Sequence, residues 1–355
     1  MIVIKLWYIL PAVLVFGFLI FIHELGHFLT ARLFHVTIYE FSLGMGPKLI
    51  SWKSKKNDTA YSLRALPIGG FVSMAGEDEE SDDDGSLRKK PVWQRIIVTA
   101  AGSVFNLVFG IIVMLMIVAF SSQIGSTTVK GFAKGATSVQ TEAKEGLLTN
   151  DEIVAINGKK VHVFYDMSYK LSRYGVEPVD ITVIRNGQTV ELQDIVFPTF
   201  TEQGVVFAQR DFGVYYAEKT PAMVLKTAFF QSVYTVRMVY DSLYDLITGR
   251  LGVEQMSGPV GITTVITDAA EDAVKTKDGS YLFMLFVVLA MNLGCMNLLP
   301  FPALDGGRLV FLVYEGIFRK PINPKVEAYI HYAGMILLLF LMLIITFKDI
   351  FTLIL

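Results

Sequence analysis

Residues 18–34, FLIFIHELGHFLTARLF, put two imidazoles and a carboxylate within five positions of an otherwise apolar run. His23, Glu24 and His27 make the pattern HExxH. On a helix, positions i and i+4 lie one turn apart, with about 6 Å of rise, on the same face. Two ring nitrogens so placed suit one tetrahedral Zn²⁺, and a glutamate beside them can act as base on a water that the metal makes acidic. The competing reading is that all three groups hydrogen-bond to neighbouring helices. A charged side chain costs roughly 2.5–3.5 kcal/mol at the centre of a membrane span. Three ionisable groups in five residues therefore need a compensating partner, and a metal ion is a direct one.

A zinc site that keeps one position open needs a third protein ligand. The other histidines are His35, His162 and His331. His35 follows too closely in sequence to reach back, His162 falls in a segment of different character, and His331 opens the last apolar run in isolation. Among the carboxylates, Asp305 stands out. It lies in NLLPFPALDGG, residues 297–307, where prolines and glycines interrupt a long apolar run. Its other reading is an N-cap for the helix that follows. With two neutral imidazoles and one carboxylate, a Zn²⁺ site keeps a net charge of +1, which favours a bound hydroxide. Glu24 can then pass a proton to a leaving amine.

The elements that must position these groups are apolar helices. Of 355 residues 53% are hydrophobic and 18% charged, against about 25% charged in soluble domains. Net charge is −2, so no basic field points to nucleic acid. The one cysteine, Cys295, has no internal disulfide partner and reads as a small buried hydrophobe. A span needs ~20 apolar residues, and four regions qualify: about 6–34, about 96–120, a region from 281 that runs on past its Pro/Gly break, and about 328–355. Lys5 before the first run imitates a signal peptide. The run is far longer than a 7–15-residue signal core and ends in no small-residue cleavage site, so a retained helix is expected. Non-helical backbone at membrane depth is tolerated only against protein or a wet cavity, which makes the break before Asp305 a site candidate.

Between the first two spans, alternating runs separated by Gly, Pro and Asn-Asp signals read as short strands, followed by an acidic loop. RKKPVWQR before the second span, and Arg319, Lys320 and Lys325 between the last two, place those loops in the cytoplasm. Residues 121–280 and both termini then fall on the other side. GLLTNDEIVAINGKKV and VDITVIRNGQTVELQDI each carry an Asn-Gly hairpin signal, so a small β-rich domain is expected. Residues 221–250 have helical apolar spacing with charges interleaved. They read as an amphipathic helix on the membrane or packed against the spans.

HELGH in the first span together with NLLPFPALDGGR in a late one resembles the site-2 protease family of intramembrane zinc metalloproteases. The bacterial regulator-of-sigma-E type with one PDZ domain is the most similar branch. FSLGMGPKL, RALPIGGFVSMAGE, GSVFN (102–106), SGPVGI (257–262) and the PDZ-like GLLTNDEIVAINGKKV add to the resemblance, which covers essentially the whole chain. It implies a polytopic α-helical membrane protein of about four transmembrane helices, with a membrane-associated β segment and an extracytoplasmic PDZ-like α+β domain. The expected layout is 1–120 for two spans with the β segment at 36–75, 121–210 for the PDZ-like domain, 211–279 for an amphipathic helix and linker, and 280–355 for the last two spans. It further implies zinc held by His23, His27 and Asp305, Glu24 as catalytic base, and Asn297 at the substrate. Gly69, Gly70 and Phe71 would lie on a strand that engages an unwound substrate. The substrates implied are single-span membrane proteins, such as an anti-sigma factor, or leftover signal peptides, in a bacterial inner membrane. The reading from another class is a membrane scaffold whose PDZ-like domain recruits partners without turnover.

Overall fold

The computed structural model describes residues 9–55, 58–77, 81–140, 145–202 and 204–354. Along the chain the elements are α1 (Ile9–Leu33), β1 (Ile38–Lys53), β2 (Ala60–Met74), α2 (Val92–Phe120), β3 (Ile124–Phe132), β4 (Glu152–Ile156), β5 (Lys159–Lys160), α3 (Phe164–Tyr174), β6 (Val179–Arg185), β7 (Gln188–Ile195), β8 (Thr199–Glu202), β9 (Val205–Ala208), β10 (Phe212–Ala217), α4 (Pro221–Ile247), α5 (Pro259–Thr276), α6 (Ser280–Asn297), α7 (Asp305–Phe318) and α8 (Pro324–Ile354). They form two compact units, one from Met1–Ile112 with Met256–Leu355 and one from Val113–Gln255.

In the first unit the apolar runs become helices. Among the described residues, four helices are long and apolar enough to cross a membrane: Leu10–Leu33, Val92–Phe120, Ser280–Asn297 and Pro324–Thr352. Two start four residues earlier than apolarity alone predicts. Pro91 precedes α2 and Pro324 opens α8, and proline's fixed φ suits a helix entry where no N–H is needed. The third apolar region divides at 298–304 into α6 and α7. His35, set aside above as a ligand, ends α1. It adopts φ 56°, and Val36 N donates to Ala31 O at 2.8 Å, a left-handed helix stop. At the other end of the unit, Gly258 N and Gly261 N donate to Asp349 Oδ2 of α8 at 2.9 and 2.8 Å. The SGPVGI stretch is thus a helix start whose orphan donors a buried carboxylate satisfies.

The short strands expected between the first two spans are present as arms of two bent strands. Residues 38–43 pair with 70–74 on one side and 60–63 on the other, and 60–64 pair in turn with 48–53. The bends fall at Gly44, Gly46 and Gly69, all with φ near +84°. The arm 70–74 is an edge strand among the described residues. Phe28, Ala31, Val36, Ile38, Phe41, Val72 and Val98 form the core that fastens this sheet to α1 and α2.

In the second unit, β10-β3-β4-β6-β7 form a sheet with β5 paired to β4. Asn157-Gly158 and Asn186-Gly187 make the two tight turns that the sequence signals, each with positive φ at both residues. Val129, Leu147, Ile153, Met167, Ile181 and Leu192 are buried together beneath the sheet. The layout expected beyond residue 210 differs. β10 pairs antiparallel with β3, so 212–217 complete the sheet instead of opening a linker. Within 218–279 the chain forms α4 and also α5. A six-residue strand whose partner lies about 80 residues earlier carries no local signal of that pairing.

Candidate metal centre

Each ligand candidate is placed by a different helix contact. α1 carries His23 and His27, both buried, with ring centroids 4.8 Å apart. His27 Nδ1 donates to Val98 O of α2 at 2.8 Å, which leaves the Nε2 lone pair facing inward. His23 Nδ1 lies 3.4 Å from the side-chain amide of the fully buried Asn106. α2 can approach this closely because residue 102 is glycine. A Cβ there would overlap His27 Nε2 and sit 2.7 Å from His23 Cε1.

Asp305 arrives from the far side of the sequence. It is the first residue of α7, and the residue preceding the helix is Leu304, so Asp305 does not act as the N-cap. Its Oδ2 stands 3.1 Å from His23 Nε2 and 3.4 Å from His27 Nε2. The connection 298–304 is pinned from α8, where Ala303 N donates to His331 Nδ1 at 3.0 Å with Ala303 at φ 76°. His331 therefore holds the turn and is not in the cluster. A Cβ on Gly307 would lie 2.5 Å from Phe301 O, so the glycine after Gly306 lets the turn fold onto the helix start. Arg95 of α2 grips Glu315 of α7 with Nη1 at 2.8 and 2.9 Å from the two carboxylate oxygens.

The three inward atoms form a nearly equilateral triangle, because the two Nε2 atoms are 3.2 Å apart. Each of the three can present a lone pair inward, the imidazoles in the tautomer with the proton on Nδ1, and Asp305 Oδ2 is buried. A tetrahedral ion with bonds of about 2.0–2.2 Å spaces its ligand atoms about 3.3–3.6 Å apart. The residues fit a small divalent cation by donor type and by spacing.

Glu24 lies half-buried beside this triangle, against β2. The edge arm 70–74 thus runs past the site. A Cβ on Gly70 would be 3.1 Å from Glu24 Cγ, which explains the small residue there. Gly69 makes the bend before it, and the Phe71 ring faces the Arg64 guanidinium at 5.0 Å. Asn297 is the last residue of α6, with 298–304 between it and Asp305. It is outside the triangle.

Residues 11–341 match the family described as peptidase family M50. The chain belongs to peptidase family M50. This bears out the likeness to site-2 proteases that the two motifs carry. A protein of Fusobacterium nucleatum, provisionally named a zinc metalloprotease, is 34% identical over 97% of this chain and 98% of its own length. The zinc metalloprotease RasP of Geobacillus kaustophilus is 30% identical over 96% of this chain and 97% of its own length. The regulator of sigma-W protease RasP of Bacillus subtilis is 29% identical, covering 96% and 98%.

In this M50 chain, sequence reasoning found the three converging residues and missed the groups that aim them. Gly102 and Asn106 sit inside a quoted stretch, GSVFN, but a small or amide residue in an apolar helix reads equally well as helix packing. The carbonyl of Val98 has no sequence signature at all.

Proposed function

We propose that the chain is an intramembrane zinc metalloendopeptidase. It hydrolyses peptide bonds in the membrane-spanning segments of single-span proteins, such as anti-sigma-factor-like proteins or remnant signal peptides. The single observation that carries the reading is the Asp305 carboxylate 3.1 and 3.4 Å from two imidazole nitrogens inside an apolar helix set.

His23, His27 and Asp305 would hold the zinc. Zinc bound there supplies Lewis acidity, which activates water and polarises the substrate carbonyl. Glu24 takes the proton from the attacking water and delivers it to the leaving amine. The Val98 carbonyl keeps the His27 proton on Nδ1, away from the ligand atom. Gly102 leaves the space over the imidazoles open. A helical substrate shields its own amides and must unwind before cleavage. The edge arm with Gly69, Gly70 and Phe71 offers unpaired main-chain groups for an extended strand beside Glu24. Asn297 contacts the substrate from the end of α6.

The zinc metalloprotease names of the relatives support the metal, and the sigma-W regulator name supports a membrane-bound anti-sigma-factor class of substrate. The setting is the bacterial inner membrane, multi-pass, with the loops at 35–91 and 319–325 cytoplasmic. The β-rich unit is PDZ-like and extracytoplasmic. It acts on the substrate before the membrane site does, by docking a peptide tail or by excluding bulky outer domains. Glu24→Gln tests the assignment: the variant keeps fold and stoichiometric zinc and loses cleavage of a transmembrane peptide. Undiminished cleavage by that variant defeats it.

A further inference from the structure

The edge arm 70–74 is held at both ends by groups that belong to the metal centre. At its start Gly70 packs on Glu24 of α1, where a Cβ would lie 3.1 Å from Glu24 Cγ. At its exit the chain turns over residues 75–77. Ala75 N donates to Thr37 O at 2.9 Å, and Leu87 N donates to Ala75 O at 2.7 Å. Gly76 takes φ 71°, and a Cβ there would overlap Ser86 Oγ, so the turn closes tightly. This turn delivers Glu77 to α7. Arg308 Nη1 of α7 donates to Glu77 Oε1 at 2.5 Å across 231 residues of sequence. Arg308 follows Asp305 by three residues on the same helix.

This pair can carry position as well as charge. An ion pair between two freely moving surface side chains is worth little. Here the side chains are 35% and 20% exposed, and both stems start from fixed backbone. The arginine rises from a helix start whose Gly306 and Gly307 are buried, and the glutamate from a turn that two backbone bonds hold. What the pair positions follows from the geometry of strand addition. A strand paired to an edge takes its register from that edge. It advances about 3.3 Å per residue, and a slip of one residue turns every side chain to the other face. The bond cut is the one that this register brings to the triangle. The edge belongs to β2 and the ligand carboxylate to α7, and Glu77–Arg308 is a side-chain link between the two.

We propose that Arg308 and Glu77 are positioning residues that hold the edge arm in register with Asp305 and so select which peptide bond of an extended substrate is cut. The proposal rests on the protease reading and on strand addition at 70–74. Both residues lie outside the metal triangle and act through the arm.

The test compares wild type, Glu77→Ala, Arg308→Gln and the double variant, each as the full chain in lipid nanodiscs. Mass spectrometry of the products from a transmembrane peptide reads where each protein cuts. The single variants are expected to keep zinc and to spread their cuts over neighbouring bonds. They should cut up to about 100-fold more slowly, the cost of a misplacement of about 1 Å. The double variant should match the singles, because the two residues act through one contact. Cleavage at the wild-type bond alone in the single variants, at any rate, overturns the proposal: a merely stabilising pair slows cleavage without moving it. Rate losses that add in the double variant overturn it, as does loss of zinc from both single variants, since the pair then supports the ligand and not the strand. Hydrogen exchange of the 70–77 amides, measured without substrate, is independent of turnover. It should quicken in all three variants, and unchanged exchange also counts against the tether. A wild type that cuts nothing defeats the protease reading, and register selection falls with it; the exchange comparison still decides whether the pair holds the arm.

Discussion

Two of the buried polar clusters among the described residues differ in kind, one where α1, α2 and α7 meet and one along the seam of α3 and α4. In the seam, opposite charges face each other: Arg173 with Asp245, and Lys170 with Asp166. Arg173–Asp245 joins α3 to α4, and Lys170–Asp166 is a pair within α3 whose lysine also donates to Tyr234 of α4. In the helix cluster, acceptor faces acceptor across 3.1–3.4 Å. That arrangement calls for a shared positive centre, a metal ion or a proton, between the acceptors. The difference teaches how to tell a structural polar cluster from a reactive one: by whether its partners already neutralise each other.

Breaking the two clusters should therefore have different consequences. The largest effect is expected at the acceptor cluster, where Asp305→Ala or His23→Ala abolishes zinc binding and cleavage together, as metal analysis and a transmembrane-peptide assay will read. Gly102→Val should do the same without touching a ligand, since its Cβ overlaps His27 Nε2. The check is zinc content in protein that still elutes as a folded species. At the seam, Asp245→Ala leaves the half-buried Arg173 with only the 3.9 Å contact to Asp241, which costs about 1.5–3 kcal/mol, the range for a hydrogen bond to a charged group. Denaturation should show that loss, with zinc stoichiometry unchanged. His331→Ala removes the acceptor for Ala303 N–H and loosens the turn that presents Asp305, so zinc affinity should fall by about 10–100-fold, the range for outer positioning groups. Competition with a chelator measures it.

The smallest expected effect is on pH. Burial alone would raise the Glu40 carboxyl, but hydrogen bonds from Ser62, Arg64 and Lys48 hold it down at about 2. A folded value below the unfolded one contributes stability that is fully present above about pH 4.5 and is lost as pH falls toward 2. Glu40→Gln should flatten the acid limb of the unfolding curve over that window by lowering stability at neutral pH toward its acid value.

The acceptor cluster was legible in sequence because ionisable groups inside apolar runs are anomalies that demand a reason. His23, Glu24, His27 and Asp305 all met that test. The Asn-Gly turns were legible because positive φ is a local requirement. Three features were not. β10 pairs with a strand 80 residues away, and nothing in FGVYYA names its partner. Periodicity gave α4 two faces, and hydropathy did not single out the one whose acids bind Tyr169 and Arg173 of α3. Gly102 acts by what it lacks, which a sequence records only as a small residue.

X-ray absorption at the zinc edge addresses the central assignment most directly, measured on wild type and Asp305→Glu and Asp305→Ala proteins in a bilayer. The wild type should show two imidazole nitrogens and carboxylate oxygen in the first coordination sphere. Asp305→Ala should lose the metal or that protein oxygen. An unchanged zinc spectrum at full occupancy in Asp305→Ala would contradict the account.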